Sequence, residues 1–186
     1  MKTMRTTAHA VIVLFGVVAL SPANADWQAD DSIKLQRKSA MAIDAVRKRY
    51  EGIESYFDDA YAYAVFHSIK RIGLGFGGAY GKGVLIEQNE LVGTSGYWQF
   101  SSGIQAGAKA FSMIIFFKDK AALDSFKASE AQFVGQAGID LLTLGAAITP
   151  SYHEGVAIFT AIRFGLMGEF SASGVKYTYK AVAQTD

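Results

Sequence analysis

The 186-residue chain has no cysteine. That excludes disulfides, thiolate metal sites, cysteine nucleophiles and a lipid anchor on a cysteine at a signal cleavage site. Histidine is scarce: His9, His67 and His153 are the full set. His67 and His153 are not at helical i, i+4 spacing and neither has a second histidine nearby, so no zinc motif forms. Proline occurs only at Pro22 and Pro150. With no Pro/Ser-rich linker, no charge block and no fixed-period repeat, the chain reads as one domain behind a leader. Long apolar runs are also missing. The longest, Ala10 to Leu20, falls short of the roughly 20 residues of a membrane-spanning helix.

That run belongs to a different grammar. Lys2 and Arg5 precede it, Ser21 and Pro22 break it, and Ala23-Asn24-Ala25 is a small-residue cleavage signal. The pattern predicts a secretory signal peptide over 1–25 and a single domain over 26–186, periplasmic or secreted. Without Lys2 and Arg5, 16 basic residues face 17 acidic ones, which argues against nucleic acid held by bulk charge.

The expected fold class is α+β: a strongly curved, glycine-rich, mainly antiparallel sheet or partial barrel, with a long N-terminal helix and one short helix. The long helix is expected over about 30–60, capped by Asp30 or Asp31. Ile43, Val46, Tyr50, Ile53 and Phe57 form its apolar stripe. Its basic residues Lys34, Arg37, Lys38, Arg47 and Lys48 fit either a solvated face or an anionic surface. The sheet is expected over about 61–180 as many short strands. Gln88-Asn89-Glu90 reads as a hairpin turn and Ser173-Gly174 as the last turn. A short helix follows Asp119, with Ala122, Leu123 and Phe126 inward. Residues 133–148 fit strand or helix equally.

Residues 73–83 read GLGFGGAYGKG, and Gly73, Gly75 and Gly78 match a dinucleotide fingerprint. That fingerprint must open a helix, whose N-terminus holds the pyrophosphate. Gly81 and Gly83 are poor helix residues. The phosphate-loop pattern fails too, since Phe76 replaces its first glycine and Gly83 its Ser/Thr. No nucleotide and no cofactor are therefore expected. Instead Ile72, Leu74 and Phe76 alternate with Gly73, Gly75 and Gly77, which in a strand gives one apolar face and one face of bare backbone. The bare face should be packed closely by another element. His153-Glu154 and Asp140 are the residues nearest to an acid–base site, and no nucleophile, base and oxyanion hole assemble around them. Tyr97 and Trp98 fit either a membrane interface or a core.

The stretches Tyr61-Ala-Tyr-Ala-Val-Phe66 and Ser68 to Val84, with Gly103 to Ala108, Ile114 to Phe117, Gly138-Ile-Asp140 and Gly165-Leu-Met167, resemble the SYLF lipid-binding domain over about residues 60–180. The resemblance implies a non-catalytic protein that contacts anionic lipid or a membrane surface. A structural envelope scaffold with a protein partner is the alternative. Carried over by position, the lipid contacts would be Lys34, Arg37, Lys38, Arg47 and Lys48 of the first helix, with Lys70, Arg71 and Lys82 around the glycine strand. His67 stands where the family usually has proline.

Overall fold

The computed structural model describes residues 33–128 and 150–182. The leader, Asp30 and Asp31, Asp140 and the ambiguous 133–148 lie outside them. Two helices come first, α1 (Lys34–Arg47) and α2 (Glu54–Asp59). Two long strands follow, β1 (Ala62–Glu87) and β2 (Glu90–Phe117), then α3 (Lys120–Lys127) and β3 (Val156–Ala181). The strands form one open antiparallel meander in the order β1-β2-β3.

Two expectations need correction. One continuous helix over 30–60 is replaced by two. Gly52 takes a left-handed φ of 79° between them, a conformation glycine enters without steric cost. The break keeps the apolar stripe on the sheet. Ile53 is buried, while Tyr56 and Phe57 wrap Phe159 and Phe116 at ring-centroid distances of 4.8 Å each. Among the described residues the many short strands are three long ones, and Ser173-Gly174 is no turn but pairs in register with Ser101 and Phe100 inside β3. The neighbouring strand's ladder carries the chain straight through a dipeptide that would turn in isolation. The hairpin at 88–89 is as expected, with φ of 49° and 67° at Gln88 and Asn89. So is the short helix: the Asp119 carboxylate accepts from the Ala122 N–H at 2.9 Å, and Leu123 and Phe126 are fully buried.

Such long strands cannot stay straight in a small domain, and β1 doubles back on itself. A Cβ at Gly83 would stand 2.5 Å from the Val65 carbonyl oxygen, and one at Gly81 2.7 Å from Ile69 Cγ1. The Gln88 N–H donates to the Tyr61 carbonyl at 3.3 Å. The first and last thirds of β1 are therefore in contact, and glycine is what lets the two backbones meet. Bulges between Phe66 and Ile69 and between Leu74 and Phe76 bend the strand and reset which residues face inward.

The doubled sheet has two apolar layers. Inside the fold lie Phe66, Ile69, Leu85, Tyr97, Phe111, Ile115, Phe117 and Tyr177, closed by Leu123 and Phe126 of α3. On the outer face, Val65, Ile86, Ile114, Phe116 and Phe159 pack under Ala42, Ile43 and Val46 of α1 and under Tyr50 and Ile53. The Tyr50 hydroxyl is not wasted there, donating to the Thr160 carbonyl at 2.9 Å.

Candidate membrane-facing site

The helices cover only the end of the outer face near the hairpin and α3. Beyond it, at the bend, the even-numbered residues of the glycine strand point to solvent. Ile72, Leu74 and Phe76 are 69%, 84% and 68% exposed, and Phe100 and Ile104 on β2 are 67% and 81% exposed. The Phe164 side chain on β3 is exposed as well. Single exposed apolar residues are ordinary, but a contiguous set on adjacent strands marks an interaction surface.

The inner face of the same segment is polar. Arg71, Ser101, Gln105 and Lys109 are all buried. The Arg71 guanidinium donates to Gln99 Oε1 at 3.0 Å, and the Tyr97 hydroxyl donates to the same oxygen at 2.9 Å. The Ser101 hydroxyl donates to Gln105 Oε1 at 2.9 Å, and Gln105 Nε2 donates to the Gly75 carbonyl at 3.1 Å. The bare glycine face is closely packed at Gly73 and Gly77, as expected, but open at Gly75, which has nothing within 4 Å of its missing Cβ. A Cβ on Gly73 would stand 2.7 Å from Gln105 Oε1, and one on Gly77 2.6 Å from it. Gly73 and Gly77 thus admit the Gln105 amide. The Tyr177 phenol, deeper in, is pushed well above its ordinary pKa by burial, with Tyr97 beside it adding to the effect.

Polarity at the bend is thus inverted relative to a soluble sheet: apolar outward, polar inward. In water that arrangement exposes apolar area at a cost of roughly 25 cal/mol per Å². In contact with hydrocarbon it is the pattern of membrane-inserted strands.

Moving from the bend toward the hairpin along the outer face, the chemistry changes in order. The pair Tyr80 and Trp98 comes first, directly opposite each other in register, ring centroids 4.6 Å apart, both exposed. Lys176 shares their rung, opposite Trp98, and the next lysines follow: Lys82 opposite Gly96, and Lys180 opposite Thr94. On the far shoulder of the bend Lys70 is exposed next to Ile72. Apolar tip, aromatic pair and cations follow the order of hydrocarbon, interface and headgroup in a bilayer.

The sequence-derived contacts divide. Lys70 and Lys82 flank the bend on its outer face. Arg71, adjacent to Lys70, points the other way, as strand alternation requires; it is buried and bonded to Gln99, so it is no surface contact. On α1, Lys34, Arg37 and Lys48 are exposed and Lys38 is half-buried. Arg47 is occupied: its Nε lies 2.9 Å from Glu54 Oε1 and its guanidinium 4.5 Å from the Phe57 ring centroid. Tyr97 and Trp98 part as neighbours in a strand do, Tyr97 inward and Trp98 outward. Phe100, Ile104, Lys176 and Lys180 were not singled out from sequence. The alternation Phe100-Ser-Ser-Gly-Ile104 hints at a two-faced strand without saying which face is wet. His153 sits in an isolated bridge with Val156. The partly buried His67 has its pKa lowered, first by burial and then by Lys38 and Arg163.

Fold and site together define a small open-sheet protein with an apolar bend girdled by aromatics and lysines. Among known proteins, beta cell expansion factor A of Aeromonas veronii is 33% identical to it over 124 residues, covering 65% of this chain. The match spans 46% of that relative's own length. No protein-family model matches the chain, and no solved structure matches it.

Proposed function

We propose that the protein is an exported, non-catalytic envelope protein of SYLF type that binds an anionic membrane surface, its curved sheet serving as a partial barrel that presents the bend. The observation that supports this is the inverted polarity at residues 71–77 and 100–109, with the aromatic pair and lysines beside it. Magnitudes say which term dominates. Burying five large apolar side chains contributes about 1.5–3 kcal/mol each, whereas each lysine near an anionic surface contributes about 1 kcal/mol. Binding is therefore mainly apolar, with charge selecting the surface and salt weakening but not abolishing it. No described helix is long and apolar enough to cross a membrane; contact is through strands.

Vesicle flotation tests this. The protein without residues 1–25 should float with phosphatidylglycerol vesicles at low salt, less with phosphatidylcholine vesicles, and lose most binding in Phe76→Ser/Phe100→Ser. Equal flotation of wild type and double variant, or none on either vesicle, would sink the proposal. The alternative, a scaffold for a protein partner, draws on one feature: among the described residues β3 is paired on one side only, and an open edge is where a partner's strand adds.

A further inference from the structure

A groove of about 480 Å³ lies on the outer face between the aromatic pair and α1. Its floor is Gly96, centred in a three-strand rung with Lys82 on one side and Thr178 on the other. Above that rung stand Tyr80 and Trp98, and below it Thr94 and Lys180. The Trp98 Nε1 lies 3.5 Å, and the Thr178 hydroxyl oxygen 2.5 Å, from the place a Gly96 Cβ would take. Only a residue without a side chain leaves this floor open. Leu35 of α1 completes one wall. The lining residues include two lysines and no carboxylate.

We propose that this groove binds an acidic saccharide, a chain of sugar rings bearing carboxylates. The components divide the work. The indole of Trp98, 53% exposed, offers a flat, weakly negative face for the C–H groups of a sugar ring, a contact that a small inorganic anion would not use. Its N–H edge and the hydroxyls of Thr94 and Thr178 suit ring hydroxyls, which both donate and accept. Lys82 and Lys180 supply charge-assisted bonds to carboxylates. These two lysines lie on strands two apart, about 10 Å across the sheet. Consecutive acidic rings can set a carboxylate beside each of them.

Two variants test this site, and Gly96→Ala separates it from the membrane-facing bend. In Gly96→Ala the new methyl crowds the Thr178 hydroxyl, which can rotate away, and meets Trp98 Nε1 at ordinary contact distance, so the sheet survives while the floor fills. Lys180→Gln changes an exposed side chain without touching packing. The probes are a tetragalacturonate, a neutral maltotetraose of equal length, and tetraglutamate, read by titration calorimetry in the absence of lipid. Tetragalacturonate should bind, and the other two should bind at least about tenfold more weakly, maltotetraose because it lacks the charge-assisted contacts and tetraglutamate because it lacks the ring contacts with Trp98. Gly96→Ala and Lys180→Gln should each weaken tetragalacturonate similarly, and Gly96→Ala, which removes no charge and no exposed apolar side chain, should still float with phosphatidylglycerol vesicles. Tetraglutamate binding as tightly as tetragalacturonate would reduce the groove to bulk charge and overturn the proposal. So would the absence of uronate binding, or loss of vesicle flotation rather than uronate binding in Gly96→Ala. Because the saccharide assay contains no membrane, its failure leaves the membrane proposal standing, and the reverse also holds.

Discussion

The outer face of the sheet has two halves made of the same strands and the same kinds of residue, with opposite fates. Near the hairpin, Val65, Ile86, Ile114, Phe116 and Phe159 lie at 0% exposure under α1 and α2. At the bend, Leu74, Phe76, Phe100 and Ile104 are all more than two-thirds exposed. Composition does not separate them; coverage does. A helix of 14 residues is about 21 Å long. Half of a 26-residue strand runs about 43 Å. The helix covers one half of a half-strand's apolar run, and no described element covers the rest. The inner face agrees: it is phenylalanine and isoleucine beneath α1's half and arginine, lysine and glutamine beneath the bend. A bend that was simply an unfinished core would be apolar inside, and this one is not.

The largest expected effect tests that difference directly. Phe159→Ala, in the covered half, should cost about 3–5 kcal/mol of unfolding free energy because it opens a cavity among packed rings. Phe76→Ala, in the bare half, should change stability by no more than about 0.5 kcal/mol. Urea unfolding of the two variants gives both numbers. A loss above about 2 kcal/mol for Phe76→Ala would mean that the bend is packed in solution, and the two halves would no longer differ.

Next in size is a pair of glycines. At Gly83 a methyl would press on the Val65 carbonyl where β1 meets itself, so Gly83→Ala should destabilise by about 1–3 kcal/mol, as overpacking does. Gly174 has nothing within 4 Å of its missing Cβ, and Gly174→Ala should stabilise by about 0.4–1 kcal/mol through the unfolded chain. Equal effects would mean that the self-contact of β1 is not a fixed part of the fold.

How much of this was legible in the sequence follows the same line. The period-two pattern of Ile72, Leu74 and Phe76 against glycine gave a strand with one apolar and one bare face, and Asp119 marked the N-cap of α3. The direction of the apolar face was not legible, because alternation is symmetric between faces and only the partner decides which is wet. Arg71 shows the cost. It reads as a neighbour of Lys70, yet one step along a strand turns it inward to Gln99. Lys176 and Lys180 come next to Trp98 through register across two strands, which no local spacing encodes. The break at Gly52 was missed because the apolar stripe continues through it without losing phase.

The smallest effect concerns the border between the halves. His67 sits in the bulge between Phe66 and Ile69, where the inward and outward residues of β1 exchange. Its carbonyl accepts from the Ser112 hydroxyl at 2.8 Å and from Arg163 at 2.9 Å. Burial and the nearby Lys38, Arg163 and Lys70 all disfavour its protonated ring, although a hydrogen bond from the ring to the Lys82 backbone opposes them, and the pKa lies below 6.5. A folded pKa below the unfolded one means the unfolded chain binds the proton more readily. The stability this group contributes is therefore present above pH 6.5 and is lost as pH falls from there toward the folded value. Glu87 behaves alike in a lower window. Lys127, 2.7 Å away, holds its carboxyl below 4.5, so its contribution is kept until the pH falls below that range. Thermal unfolding should thus show a first shallow fall just below pH 6.5, removed in His67→Gln, and a later one below pH 4.5, removed in Glu87→Gln. If the first fall persists in His67→Gln, the bulge is not where proton binding meets folding. Vesicle flotation through the same range adds the functional half. Protonating the shoulder of the bend adds positive charge beside Lys70, so flotation with phosphatidylglycerol should rise as the first stability step falls.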